Sequence, residues 1–340
     1  MGPLPFATLR QDVRSATGAV WEERVRETAV TGDMVQEFGT GFLRTTIHRT
    51  DQGYLWIRRA GPLRGSALVG PSDEIRTAIT AMAAGEVALV LPRTTTSGVL
   101  GYEVTGEVPL VRMVLTARTE ADHRGLVPVL RGVGGALRRL HAEVDPLLAA
   151  PGPPGPARLA AWMDRGNGPG AARELHVFMR RRLGTARWQR VRTWCDRLAG
   201  GEASDVFLHG APGSGTTVLG GGGRRSALLT GEDHARGPRG FDVGWLLGEL
   251  AELRIFRSRA VTGGTPRSAA EDRLSAALLE GYGKLTGEGE AVGQAAVLRM
   301  LTHAHDFATY VRWDAELEHY GDALTSLIDE GGMGLVPSGI

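Results

Sequence analysis

The pattern of hydrophobic and polar positions divides the chain into a shorter β-rich part and a longer helical part. Residues 34–38, 42–48 and 54–59 alternate as strands do, and turn residues separate them. Their short connections predict an antiparallel meander. Ser72 and the acidic residues after it predict the N-cap of a helix over residues 75–84.

Two further segments of the first third, residues 98–105 and 110–116, are rich in strand-forming residues and are predicted as strands. Beyond residue 120 the apolar spacing becomes helical, most clearly over 126–141 and 173–199. Four prolines within residues 149–156 predict a loop there.

The last third begins with two short strand candidates, residues 205–209 and 226–230. The glycine-rich segment between them, residues 210–225, is predicted as loop with at most a short strand near Val218. The chain beyond Phe241 is predicted to be helical, with an interruption near residues 261–266.

Composition narrows the class of protein. With 340 residues and 42% hydrophobic content, the chain is long enough for a large bilobed globular domain. The net charge of +1 argues against a nucleic-acid partner, and no apolar run approaches the ~20 residues of a membrane helix. Because the start lacks a signal-peptide profile and Cys195 is the only cysteine, we expect a cytoplasmic protein.

Three short sequence motifs are informative because of their order along the chain. The first is Leu137-Arg-Arg-Leu-His-Ala-Glu-Val-Asp145, the second is Leu208-His209-Gly210, and the third is Phe241-Asp242-Val-Gly-Trp245-Leu-Leu-Gly-Glu-Leu250. From about residue 30 to residue 285, their order and spacing resemble those of the aminoglycoside phosphotransferase family, within the protein-kinase-like fold. The resemblance implies an α+β, bilobed architecture with a small antiparallel β-rich N-lobe and a larger, mainly helical C-lobe.

The resemblance also implies a division of the chain. We expect an N-terminal helical extension over residues 1–30, a nucleotide-covering N-lobe over 31–117 and a helical C-lobe over 118–332. The C-lobe would contain a catalytic-loop-like segment at 205–245, and residues 333–340 would form a flexible tail.

In such a fold the N-lobe holds the nucleotide. The turn Gly39-Thr40-Gly41 would cover its phosphates, and Arg58 would stand at the lysine position of the third strand, or Arg59 after a slip of one residue. Arginine keeps the positive charge but differs in shape from lysine. Glu74 is the candidate for the helix glutamate that pairs with this cation.

The C-lobe motifs depart from the family pattern. The family reads His-Gly-Asp, then four residues, then Asn, whereas this chain has Ala211 at the aspartate and Thr216 at the asparagine. The second metal-binding aspartate would fall on Thr230. Glu232 and Asp233 lie just beyond it, and the sequence leaves open which of the two would bind Mg²⁺.

Roles can still be assigned by resemblance. Asp233 and His209 are the catalytic candidates, although the family favours a bracing role for the histidine. Glu232, Asp233 and the Thr216 hydroxyl are the metal-binding candidates. Asp242 matches a family aspartate that holds the catalytic loop, so it is expected to be structural.

Two functions follow as expectations. The first is an ATP- and Mg²⁺-dependent phosphotransferase that acts on a hydroxyl of a small natural product, or on Ser or Thr of a biosynthetic peptide. Its site would be completed either by Glu232 or Asp233 or by a partner enzyme. The alternative is a pseudokinase that uses the fold as a non-catalytic scaffold for a peptide or partner. Neither function involves nucleic acid or a membrane.

Overall fold

The computed structural model describes residues 33–95, 99–117, 119–260 and 269–336. The predicted helical extension over residues 1–30 and the predicted interruption near 261–266 lie outside these residues. Of the predicted tail, Met333–Leu335 forms a 3₁₀ turn, and residues 337–340 lie outside the described chain.

An antiparallel sheet forms the N-terminal part. It contains five strands: β1 (Met34–Gly39), β2 (Leu43–Thr50), β3 (Gly53–Ala60), β5 (Arg93–Thr95) and β6 (Val99–Val104). The strand order is β1-β2-β3-β6-β5, so the predicted meander is confirmed. In this sheet Arg58 lies opposite Thr45 on one side and Leu100 on the other.

The first helix, α1 (Asp73–Ala81), follows the sheet's third strand and confirms the prediction from Ser72. The Ser72 hydroxyl accepts a hydrogen bond from the Ile75 N–H, which satisfies one of the free amides at the helix start. Ile75 and Ile79, four residues apart, are buried against the rest of the protein.

The segment at residues 110–116 is a helix, α2 (Leu110–Thr116), and the strand prediction there was wrong. Its two buried residues, Leu110 and Val114, are four positions apart and therefore share one helical face. A short segment made mostly of apolar residues fits either period, so its composition could not decide between helix and strand.

Helices make up most of the C-terminal part. They are α3 (Glu120–Glu143), α4 (Pro154–Arg165), α5 (Ala172–Gly200), α6 (Phe241–Ala260), α7 (Ala269–Tyr282), α8 (Gly289–Tyr310) and α9 (Glu316–Asp329). Helix α3 packs along α7, α6 along α8, and α5 along α9. The predicted loop at residues 149–156 ends early, because Pro154 begins α4, where a missing N–H costs nothing.

Five short strands lie next to the segments that contain the predicted site residues of the C-terminal part. They are β4 (Ala88–Val90), β7 (Val206–Leu208), β8 (Thr217–Val218), β9 (Ala227–Leu229) and β10 (Ala235–Gly237). The sequence did not predict β4 or β10. Strand β4 pairs with β9, which also pairs with β8, and β7 pairs with β10. Residues 209–216 follow β7 and residues 230–233 follow β9, and the close packing of Gly210 against the Asp233 backbone brings the two segments together.

The predicted α+β fold class is confirmed by this arrangement of a small antiparallel sheet followed by a mainly helical region. Across the described ranges, none of the helices combines the length and apolar character needed to cross a membrane.

Candidate functional site

Strand β3 and the segment after β9 meet through an ion pair. Arg58 Nη1 lies 2.7 Å from Glu232 Oε1, with side chains only 7% and 10% exposed. The Tyr102 hydroxyl donates to the same carboxylate at 2.8 Å. Burial lowers the pKa of Arg58, but the charge and hydrogen bond of Glu232, together with Tyr102 and Asp233, outweigh that effect, and the pKa is raised overall. The cation at the family's lysine position is thus held by a carboxylate from the C-terminal part.

Arg59 faces the other way, because successive side chains of a strand point to opposite faces. It pairs with Glu37, 3.0 Å away, where the two side chains are 22% and 46% exposed. The structure therefore brings Arg58, and not Arg59, to Glu232.

Glu74 does not occupy the position predicted for it. It is an exposed residue in the first turn of α1, where a hydrogen bond with Ser72 lowers the pKa of its carboxyl. The prediction that Glu74 pairs with Arg58 was wrong, since Glu232 is the partner. A glutamate at the very start of a helix faces the N-cap rather than the neighbouring sheet.

The glycine turn between β1 and β2 uses its own amides. The Thr40 N–H donates to the carbonyl three residues later, and the Phe42 N–H donates to the Thr40 hydroxyl. The Gly41 N–H donates to the Tyr310 carbonyl at the end of α8. Gly39 and Gly41 were predicted to bind nucleotide phosphates, but in this structure the amides of residues 40–42 are already hydrogen bonded.

Asp242 braces the loop after β7. Its carboxylate is fully buried and accepts hydrogen bonds from the backbone N–H groups of His209, at 2.7 Å, and Gly210, at 3.0 Å. His141 Nε2 also lies 2.9 Å from it, and His141 Nδ1 contacts the Tyr282 hydroxyl. Gly210 has a positive φ of 86° and packs against the Asp233 backbone with no room for a Cβ.

His209 lies inside this brace. Its Nε2 lies 3.0 Å from the Leu229 carbonyl, and burial lowers the pKa of the ring. The histidine is 4% exposed and neutral in this environment. This geometry makes it a bracing residue that joins β9 to the loop, in place of the catalytic role considered from sequence.

The two threonines predicted at the metal-ligand positions make other contacts. The Thr216 hydroxyl donates to the Gly213 carbonyl at 2.9 Å and accepts from the Gly213 N–H at 3.0 Å, which closes its own turn. The Thr230 hydroxyl is 2.9 Å from His234 Nε2, and Thr230 is 1% exposed. The Thr216 hydroxyl thus has a local role in this structure, and its metal role stays a prediction.

Asp233 differs from these residues. Its carboxylate accepts no hydrogen bond from any side chain or amide in the described part of the chain. Burial, followed by the charge of Glu232, raises its pKa, while Arg158 and Arg64 oppose the increase. It is therefore a carboxylate without a hydrogen-bonding partner, and two arginines attract it through their charge.

Trp56 was not predicted as a site residue. It lies two positions before Arg58 on the same face of β3 and is fully buried. Its indole N–H donates to the Gly106 carbonyl at 3.0 Å, in the segment that connects the two parts of the fold. The spacing from Arg58 was the available signal, because residues two apart on a strand share a face.

The segment that connects the two parts of the fold, residues 105–108, also accepts hydrogen bonds from the glycine-rich loop. The Thr105 carbonyl accepts from the Gly221 N–H, and the Val108 carbonyl accepts from the Leu219 N–H. The glycine-rich loop over residues 210–225 thus packs its own backbone against residues 105–108, and these carbonyls are paired within the protein.

Solved structures share this architecture. A spectinomycin phosphotransferase in complex with ADP and spectinomycin has a TM-score of 0.52 and 10% identity, over 92% of this chain and 98% of its own. An amicoumacin kinase in complex with AMP-PNP, Ca²⁺ and its ligand has a TM-score of 0.53 and 10% identity, over 94% and 97%. The chain has the bilobed fold of the aminoglycoside phosphotransferases.

A glucosamine kinase shares the aminoglycoside phosphotransferase fold as well, with a TM-score of 0.50 and 18% identity, over 94% of this chain and 86% of its own. These structural neighbours are kinases and phosphotransferases of small molecules. No family model and no curated protein sequence matches the chain.

The fold implies a nucleotide with Mg²⁺, and the residues present do not fit that group. Phosphoryl transfer in this fold needs amides or cations on the phosphates and carboxylate or amide oxygens on the metal. Here the turn amides are hydrogen bonded, and Glu232 is neutralised by Arg58. Within the described ranges no group of three or more His, Cys, Asp or Glu side chains could hold a metal ion.

Proposed function

We propose that this protein is a pseudokinase: it uses the phosphotransferase fold to bind a ligand or partner and does not itself transfer phosphate from Mg-ATP. The observation that carries the proposal is the state of the three positions that carry the family's catalytic chemistry. Ala211 has no acceptor for a proton, while Thr216 and Thr230 direct their hydroxyls into local hydrogen bonds.

The three substitutions strengthen the proposal together because they affect different parts of catalysis, the general base and the metal ligands. Catalysis of phosphoryl transfer rests mostly on positioning and on neutralising the charge of the transferred group. A missing general base alone lowers the rate by about 10²–10⁴. Loss of both metal-binding positions removes charge neutralisation as well, and Asp233 alone does not replace two ligands.

The ion pair between Arg58 and Glu232 strengthens the proposal. In the resembling family the β3 cation faces phosphates, but here it is bound to the carboxylate that would otherwise be a metal ligand. Separating the pair to admit Mg-ATP would leave two nearly buried charges to be matched anew, which is costly.

The experiment that tests this proposal is an ATP-turnover assay on the full chain with Mg²⁺, with water and a panel of alcohols as acceptors. We expect release of ADP at the buffer background and no difference between the wild type and Asp233→Asn. Turnover above background that Asp233→Asn abolishes would contradict the proposal.

A second candidate is a divergent phosphotransferase that acts on a natural product or on a biosynthetic peptide once a partner enzyme completes the site. The observation that favours it is the unpartnered Asp233 carboxylate beside Arg64 and Arg158. This candidate requires that added partner protein produce Mg²⁺-dependent turnover and that Asp233→Asn remove it.

A further inference from the structure

Two arginines stack on one aromatic ring. The guanidinium carbon of Arg64 lies 4.3 Å from the ring centroid of Phe42, and that of Arg158 lies 4.5 Å from the same centroid. Phe42 itself packs against Tyr310, with ring centroids 4.8 Å apart. Stacking fixes both planar cations without using their N–H donors.

Some N–H groups of these two arginines have no hydrogen-bond acceptor in the part of the chain that the structure describes. The Arg64 guanidinium makes no hydrogen bond or ion pair within the described residues, and its Nε is buried without a partner. Arg158 Nη2 pairs with Asp306 at 2.9 Å, but its Nε is also buried without a partner. Guanidinium groups in such positions are normally hydrogen bonded.

Asp233 is an acceptor that lacks hydrogen-bond donors among the described residues. Its carboxylate interacts electrostatically with Arg64 and Arg158, but no hydrogen bond joins it to either of them. An unpaired carboxylate and an unpaired guanidinium that attract each other without forming an ion pair can both be contacted by one small group. That group must present oxygen acceptors to the arginine and a donor to the carboxylate.

The charges define the chemistry further. An oxoanion suits the guanidinium fork, since two N–H groups donate to two oxygens at once. A primary ammonium group suits Asp233, because it carries donors and a positive charge that favours the ionised carboxylate. A ligand with both groups adds no net charge to the cleft when its anion carries a single charge.

We propose that Arg64, Arg158 and Asp233 form a binding site for a small zwitterion, in which an oxoanion contacts the arginines and an ammonium group contacts the aspartate. The inference rests on the proposed function in that it supplies the ligand of a cleft that does not take Mg-ATP. Phosphate and carboxylate share this chemistry, so the test must distinguish them.

The experiment is a calorimetric titration of the full chain in EDTA, without nucleotide, so its outcome does not depend on any use of Mg-ATP. The probes are phosphoethanolamine and β-alanine, which carry a phosphate or a carboxylate two carbons from an ammonium group. Inorganic phosphate and ethanolamine test each half alone. We expect one of the two zwitterions to bind at least about tenfold more tightly than either half.

Variants assign the contacts. Arg64→Gln should weaken binding of that zwitterion by about tenfold or more, and Arg64→Lys, which keeps the charge without the fork, should recover part of it. Asp233→Asn should make the zwitterion bind no better than its anion alone. Arg93→Gln is the matched control, because Arg93 is an exposed residue on the sheet edge, and it should leave binding unchanged.

Several results would overturn the inference. These are the absence of binding by both zwitterions, equal binding of inorganic phosphate and phosphoethanolamine in the wild type, and affinity that is unchanged in Arg64→Gln. Thermal unfolding of each variant shows whether it is folded, and Arg64→Lys keeps the test decisive if Arg64→Gln is not. Failure here with no ATP turnover would leave the pseudokinase proposal standing.

Discussion

Arg58 on β3 and Glu232 after β9 are 174 positions apart in the chain, and their side chains form a nearly buried ion pair with a separation of 2.7 Å. The pair joins the N-terminal sheet to the loop at the predicted metal site. It therefore couples the stability of the fold to the state of the cleft.

Removing one partner of this pair should be costly. Glu232→Gln would leave Arg58 buried without a counter-charge, so we expect the free energy of unfolding to fall by ~3–5 kcal/mol. Urea denaturation measures it. The control is Glu37→Gln, which breaks the more exposed Arg59 pair and should cost less than ~1 kcal/mol. Equal losses in the two variants would contradict the assigned role.

Trp56 should be a major contributor to the N-terminal core. Trp56→Ala removes a fully buried ring, so we expect a loss of ~3–5 kcal/mol. Trp56→Phe keeps much of the volume but leaves the Gly106 carbonyl without its donor, so its loss should be ~1–3 kcal/mol. Chemical denaturation separates the two, and a Trp56→Ala protein as stable as wild type would refute the packing described.

Asp242→Asn should loosen the loop after β7. The two N–H groups of His209 and Gly210 donate to different oxygens of Asp242, so the asparagine NH2 would face one of them in place of an acceptor. We expect a loss of ~3 kcal/mol or more, since charged acceptors make the stronger buried hydrogen bonds. Hydrogen exchange at the two amides should accelerate more than at amides in α9, and uniform acceleration would argue against a local brace.

The Arg158–Asp306 pair predicts a dependence of stability on pH. Burial opposes it, but Arg158 and His305 together lower the pKa of Asp306 to about 2 from an ordinary value of 3.8. The stabilisation is thus complete above pH 3.8 and is lost as the pH falls toward 2. Asp306→Asn should cost about 2 kcal/mol at pH 7 and nothing below pH 2. A difference that does not change with pH would contradict this.

Asp233 should affect the pH dependence of stability in the opposite direction to Asp306. Burial and the charge of Glu232 raise its pKa above 3.8, so its ionised form opposes folding and stability falls as the pH rises through the folded-state pKa. Without ligand, Asp233→Asn should be more stable than wild type at pH 7, and the gap should close below pH 3.8. A variant that is less stable at pH 7 would show that the carboxylate is satisfied within the protein.

Local patterns in the sequence were sufficient for most of the fold. The strands at residues 34–60 and the capped helix after Ser72 follow from short-range periodicity and capping, which depend on neighbours in the chain. The strand prediction for residues 110–116 was wrong because a segment of that length fits two periods. Pro154 was assigned to a loop because four prolines cluster there, although proline can also begin a helix.

The site was harder to predict because its contacts are long-range. The position of Arg58 could be predicted from its strand. Its partner, Glu232, is distant in the sequence, and Glu74, which is closer in the sequence, was predicted wrongly as the partner. Arg64 and Arg158 lie outside any motif, and only their shared contact with Phe42 brings them together. The hydroxyl of Thr216 was assigned by spacing, which does not show where a side chain donates.

Calorimetric titration with ATP shows whether this chain has a working Mg-nucleotide site. The measurement uses the full-length protein with and without Mg²⁺, and then Asp233→Asn. We predict no saturable, Mg²⁺-dependent heat at millimolar ATP in either protein. Saturable binding that requires Mg²⁺ and is abolished by Asp233→Asn would contradict the account.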